Sequence, residues 1–188
     1  MAICNNPIMS GMRGRVGNLV FKRRGNKTIV CAAPKTKSKN RKPTIQESIR
    51  QDAFYKAAKY AGWAMQNPDL KELYATKARK GRTAGNVAFR DAYLPPEINE
   101  INASGYLGKA GDMIRIEAID DFKVISVKVS IHLANGQLLE EGNAVEDISF
   151  CYWIYFISIP NNSLRGTTIQ VSAEDLAGNI TIRSEQIL

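Results

Sequence analysis

Apolar positions along the chain fall into three successive rhythms. Near the N-terminus, Leu19-Val20-Phe21 and Thr28-Ile29-Val30 flank Gly25-Asn26. β-formers on either side of a two-residue turn that supplies positive φ predict a hairpin. A two-residue loop sets Phe21 opposite Val30, Val20 opposite Cys31, and Arg24 opposite Lys27 near the tip. From Thr44 the period lengthens: Ile45, Ile49, Ala53, Ala57, Tyr60 and Ala64 recur at helical spacing, widened by Phe54, Ala61 and Trp63. Thr44 with Glu47 fits a capping box, so a helix is expected through about Gln66. Asn67-Pro68 opens a second helix with Leu70, Leu73 and Tyr74 inward and Gly81 at its end; Thr83 to Tyr93 makes a third, carrying Val87 and Phe89. The stripe Phe54/Tyr60/Trp63/Tyr74/Phe89 reads as helix-packing core, because a base-stacking platform needs exposed rings.

Past Pro95-Pro96 the rhythm becomes that of strands separated by short turns: Met113–Ile119, Lys123–Leu133, Phe150–Ile159, Thr167–Ala173 and Asn179–Ile187. Short strands at this spacing, with no helix between them, predict a β-sandwich. The expected class is therefore α+β in three parts. Residues 1–43 form a basic glycine-rich arm, a β-hairpin and an extended linker; residues 44–95 form a small helical domain; residues 96–188 form the sandwich.

Charge sharpens this division. The net charge of +8 is the balance of unlike halves. Residues 1–46 hold eleven Lys/Arg and no acid, residues 47–95 nine against five, and residues 96–188 six against thirteen. A basic half and an acidic half on one chain imply different partners. Gly11, Gly14 and Gly17 alternate with Arg13 and Arg15, but no helix follows, so this is neither a Walker A loop nor a dinucleotide fingerprint; a plain glycine-rich arm is expected. The segment from Pro34 to Pro43 places a basic residue at nearly every second position, and self-repulsion keeps such a segment extended. Candidate contacts to an anionic partner are Arg13, Arg15, Lys22, Arg23, Arg24, Lys27, Lys35, Lys37, Lys39, Arg41 and Lys42. The alternative is that these cations point into solvent and blunt a sheet edge.

Other chemistry is sparse. Cys4, Cys31 and Cys151 are odd in number and share no C-x-x-C spacing, which argues against a disulfide framework or a zinc site. The start "MAICNNPIM" lacks a basic stretch followed by an apolar core, and the longest apolar run, Ile148–Ile159, is too short for a bilayer. A cytoplasmic location is the default expectation, with export as part of a particle, without a cleaved signal, as the alternative. No nucleophile, zinc-protease or phosphate-loop motif is present; His132 lies on an expected strand, and the adjacent Glu140 and Glu141 point to opposite faces of theirs. A non-catalytic protein without a cofactor is expected. One ion enters the picture: antiparallel alternation puts the turn at Asp120-Asp121 and the turn after Glu174-Asp175 at one end of the sandwich. Acids converging there would offer calcium the several oxygens it requires; the plainer alternative is that each Asp caps its own turn.

The segment "VSAEDLAGNIT", Val171 to Thr181, resembles the closing hairpin of bacterial immunoglobulin-like repeats, and "DDFKVISVKVSI" followed by "ANGQLLEEG" resembles their central strands. The whole chain is similar to an uncharacterised two-domain family of Bacteroidetes proteins through its "GRVGNLVFKRRGNKT" opening, the helix "QESIRQDAFYKAAKYA" and the sandwich tail. The resemblance implies an immunoglobulin-like sandwich and no particular activity. Similarly built proteins occur around phage-like particles. Together these readings predict an interaction or structural protein whose basic half docks on an acidic protein assembly, such as a phage-tail-like particle, as component or cargo. Sequence-indifferent nucleic-acid binding is the alternative, and an effector enzyme without a recognisable motif the second.

Overall fold

The computed structural model describes residues 2–4, 7–35, 42–79, 81–147 and 152–187. Lys37, Lys39 and Arg41 of the basic segment, Cys151, and the start of the expected strand Phe150–Ile159 lie outside the described residues. Among the described residues the chain is α+β, with three α-helices and three four-stranded antiparallel sheets. It divides into two compact units, Met1–Thr44 and Ile45–Leu188.

The first unit is one sheet in the order β1-β4-β3-β2, built from β1 (Ala2–Cys4), β2 (Gly14–Val16), β3 (Leu19–Arg24) and β4 (Lys27–Ala32). β3 and β4 pair with Phe21 opposite Val30, Val20 opposite Cys31 and Arg24 opposite Lys27. That is the register a two-residue Gly25-Asn26 turn dictates, and Gly25 has φ +62°. The glycine-rich stretch is not the plain arm expected: Gly14–Val16 pairs with β3 through a second Gly-Asn turn, with Val16 opposite Leu19 and Gly17 at φ +56°. The same turn chemistry used twice converts an arm into a strand.

In the second unit, β5 (Glu97–Asn102), β6 (Met113–Ile119), β10 (Tyr152–Phe156) and β9 (Val145–Asp147) form one sheet in that order. β12 (Ile180–Gln186), β11 (Thr168–Asp175), β7 (Val124–His132) and β8 (Leu138–Asn143) form another. Both sheets feed one core: Ile114 and Ile116 from β6 and Trp153 and Tyr155 from β10 cluster with Val127, Val129 and Ile131 from β7 and Ile169 and Val171 from β11. Burial alternates along β11, as period-2 geometry requires of a strand with one face inward. On β5 it does not. Ile98 and Ile101 are both buried although three residues apart, because a bulge after Ile98 resets the alternation. This irregularity hides β5 from a pattern search. Arg183 on β12 bonds the carbonyls of Ile98 (2.9 Å) and Asn99, lacing the two sheets together at one edge.

The helices are α1 (Ile45–Ala64), α2 (Pro68–Thr76) and α3 (Ala84–Tyr93). The Asn67 side chain caps α2 by accepting from Asp69 and Leu70 N–H, and Thr83 caps α3 through Asn86 N–H. The expected aromatic core stripe is only partly a core. Tyr74 is fully buried, but Phe54 and Trp63 are 58% and 56% exposed, and Ile45 and Ile49 are exposed too. α1 buries its alanines Ala57, Ala61 and Ala64, so its buried face is a small-residue one and the large apolar residues flank it. Pro95-Pro96 lies inside this second unit, and helices and sheets share contacts on either side of it. Phe122 packs on Tyr74, Lys77 Nζ bonds the Phe122 carbonyl, and Asn179 Nδ2 bonds the Asp91 carbonyl at 3.1 Å.

Candidate functional site

Two places bring chemically active side chains together, one in each unit. In the first unit, register and strand alternation put Arg15, Lys22, Arg24 and Lys27 on one face of the sheet. All four are exposed, as are Arg13, Arg23, Lys35 and Lys42. Arg15 and Arg23 each bond a carbonyl two residues on, at Gly17 and Gly25, which holds the guanidinium stems against the turns. The opposite face holds the buried pair Phe21 and Thr28, and the Gly11 N–H donates to the Thr28 hydroxyl at 3.1 Å. The chain before β2 therefore lies over that side. The cationic face carries apolar groups between its charges: Ile3 is 55% exposed and Val20 and Ile29 are half-buried. Cys31 on this face is a free thiol, half-buried, with Sγ near the Val20 carbonyl.

In the second unit three carboxylates converge. Asp175 continues the inward-facing series Ile169, Val171, Ala173 on β11 and is fully buried. Asp120 follows Ile114, Ile116 and Ala118 at the same two-residue spacing, one residue beyond β6. Asp91 lies one helical turn after the buried Ala88 on α3 and is itself fully buried. Each acid thus occupies the core-facing register of its own element, and one ligand atom from each lies within 4.8 Å of the other two.

Their partners are unequal. Asp91 Oδ2 accepts from the Tyr74 hydroxyl, which also meets the Tyr60 hydroxyl at 2.8 Å; Asp91 Oδ1 is buried without a partner. Asp120 Oδ2 accepts from Phe122 and Lys123 N–H at 2.7 and 2.9 Å, and its Oδ1 is likewise buried and unpartnered. Asp175 accepts from Asn179 through its backbone and side-chain nitrogens, both at 2.7 Å. Burial pushes Asp91 up to about 7, against the Tyr74 hydrogen bond, and the charges of Asp120 and Asp175 raise it further, as does a hydrogen bond between the Asp91 and Asp120 carboxyls when one is protonated. Asp175 is also raised, again chiefly by burial. Among the described residues none of the three is paired with Lys or Arg.

The calcium set read from sequence is therefore redistributed. Asp120 and Asp175 come together at one end, as antiparallel alternation demands. Asp121 instead forms an ion pair with Arg90, and the Glu174 side chain meets the Ser126 hydroxyl at 3.2 Å. Glu174, one residue before Asp175 on β11, is turned to the other face by strand alternation, and Asp121 lies in the bend beyond β6. Asp91 was missed, although the inward positions Ala84, Val87, Ala88 and Asp91 follow helical spacing. His132 is half-buried on β7 opposite Thr168. Glu140 is buried and accepts from Ser158 and Ile159 N–H at 3.0 Å, whereas Glu141 pairs with Lys128 at 2.8 Å.

No protein-family model and no curated protein matches the chain. A crystal structure of an engineered protein is similar to 56% of the chain at 20% identity and a TM-score of 0.35. The chain spans 22% of that structure's length, and the likeness carries no argument about this one. No described helix is long and apolar enough to cross a membrane.

Proposed function

We propose that this is a non-catalytic interaction protein whose N-terminal sheet docks on an acidic protein surface. The observation that carries the reading is the exposed face holding Arg15, Lys22, Arg24 and Lys27 in a segment, residues 1–46, that contains no acid. Four cations on one face, with no internal counter-charge, favour an anionic macromolecule and speed its encounter. Ile3, Val20 and Ile29 lie among those cations and favour a protein over a bare phosphate backbone, since apolar groups gain from a dehydrated contact. The two-sheet body is read as an immunoglobulin-like sandwich and as a second interaction module, in keeping with a component or cargo of a phage-like particle.

The test is affinity purification of the full chain from its native cells across a salt series, with and without nuclease. It is run beside a variant in which Arg15, Lys22, Arg24 and Lys27 are all changed to Gln. A partner retained after nuclease and lost in the variant supports the reading. Retention that nuclease abolishes transfers the face to nucleic acid, where six to eight phosphate contacts would give a log–log salt slope of about −5 to −7. Association unchanged in the variant removes any role for this face.

A further inference from the structure

We infer that Asp91, Asp120 and Asp175 form a calcium site that fastens helix α3 to the turns following β6 and β11. Three acids gathered in the interior, with no cation among the described residues to offset them, repel one another, and burial magnifies that repulsion. Clustering alone would assign nothing. The deciding observation is that fully buried Asp91 presents one oxygen, Oδ1, that no donor among the described residues reaches, beside a second such oxygen on Asp120, the two carboxylates close enough to compete for one shared proton or one cation. A buried carboxylate oxygen left bare costs free energy that a bound cation removes.

The chemistry of the donors selects the ion. All three ligands are carboxylate oxygens, with no imidazole or thiolate to favour zinc or copper. Calcium binds oxygen at about 2.3–2.6 Å, so oxygens on opposite sides of one ion stand roughly 4.6–5.2 Å apart. One oxygen from each carboxylate lies within 4.8 Å of the other two, inside that sphere. Magnesium dehydrates reluctantly and keeps several waters that a buried site has little room for. The carboxylates are held in place independently of the ion: Tyr74 holds Asp91, the Phe122 and Lys123 N–H groups hold Asp120, and Asn179 holds Asp175. Such outer partners orient ligands in metal sites generally.

Terbium tests this directly, because it replaces calcium at oxygen sites and is sensitised by nearby aromatic rings; Tyr74 is bonded to Asp91 and in ring contact with Tyr60, which in turn meets Trp63. The full-length protein is stripped with chelator and titrated with terbium, then with calcium or magnesium as competitor. Saturable luminescence at one ion per chain is expected, displaced by calcium well before magnesium, together with a rise in Tm on adding calcium. Asp91→Asn and Asp120→Asn should each weaken terbium binding by about tenfold or more, the scale on which even outer-shell changes act. Asp121→Asn, whose partner is Arg90, should leave it unchanged. Two results overturn the site: folded protein with no saturable luminescence, or a signal that survives both Asp91→Asn and Asp120→Asn. Should Asp91→Asn fail to fold, the partly exposed Asp120 and the calcium competition on the unaltered chain decide the matter alone. A gain in Tm for Asp91→Asn with no cation response in the parent would show instead that the carboxylates share a proton.

Discussion

The Tyr74 hydroxyl donates to Asp91 Oδ2 at 2.5 Å, and both residues are fully buried. This contact joins α2 to α3 and orients the carboxylate that lies closest to the helix side of the cluster. Tyr74 also packs its ring on Phe122, 4.6 Å between centroids, so it reaches the turn that carries Asp120.

Tyr74→Phe keeps that ring packing and removes only the hydroxyl. The Asp91 oxygen it leaves unpartnered should cost about 1–3 kcal/mol, read as a lower urea midpoint with an unchanged slope. An unchanged midpoint would mean that the bond contributes nothing net.

Gly108 and Gly111 make a controlled pair. Both have positive φ, +88° and +93°, but a Cβ at Gly108 would lie 2.3 Å from the Asn161 carbonyl oxygen, whereas one at Gly111 meets nothing within 4 Å. Gly111→Ala should cost only the backbone strain of about 1–2 kcal/mol. Gly108→Ala should cost clearly more, because the backbone must move and disturb the 2.9 Å bond from Asn161 N to the Gly108 carbonyl. Equal losses in thermal unfolding would contradict the close approach.

Ile116 is fully buried between the sheets, and Ile182 is exposed on β12. Truncating Ile116 to Ala should destabilise by about 2–5 kcal/mol through lost burial and the cavity left behind. The same change at Ile182 should cost under about 1 kcal/mol. Chemical denaturation of the two variants side by side checks the assignment of the inner face.

Asp112 Oδ2 accepts from Leu107 and Lys109 N–H at 2.7 and 2.8 Å, and the backbone bond from Lys109 leads the effects that hold its carboxyl below the usual range. A depressed folded-state value means its contribution is present above the unfolded pKa and is lost as pH falls through the folded one. Asp112→Asn should therefore be less stable than the parent at neutral pH. The difference should shrink below about pH 4 and vanish once the folded-state carboxyl is protonated. A gap that stayed constant down to the lowest pH at which the protein folds would rule this out.

Much of the secondary structure is legible in single residues. Asn67-Pro68 and Thr83 mark helix starts because their side chains or rings satisfy N-terminal geometry locally, and Gly25-Asn26 fixes a register because its turn admits only one. Gly17-Asn18 carries the same signal and was open to the same reading. β8, with its run of Leu-Leu-Glu-Glu-Gly-Asn, gives little pattern because it is an edge strand with a mostly exposed face. The exposure of Phe54 and Trp63 is not legible, since helical spacing shows which residues share a face and not whether anything covers it.

By itself the sequence determines what is local or additive: where the period changes from helix to strand, which turns are tight, and that the excess of positive over negative charge is greatest in the leading segment. It also places Asp120 and Asp175 at one end of the strands, because antiparallel alternation follows from chain order. Only tertiary structure decided that Asp91, some thirty residues before Asp120 and more than eighty before Asp175, completes that group, and that Asp121 and Glu174 leave it. The physical reason is that a helix's position against a sheet is set by packing of its whole buried face, here Ala84, Val87 and Ala88 with Tyr74 and Phe122. No short-range rule encodes that arrangement.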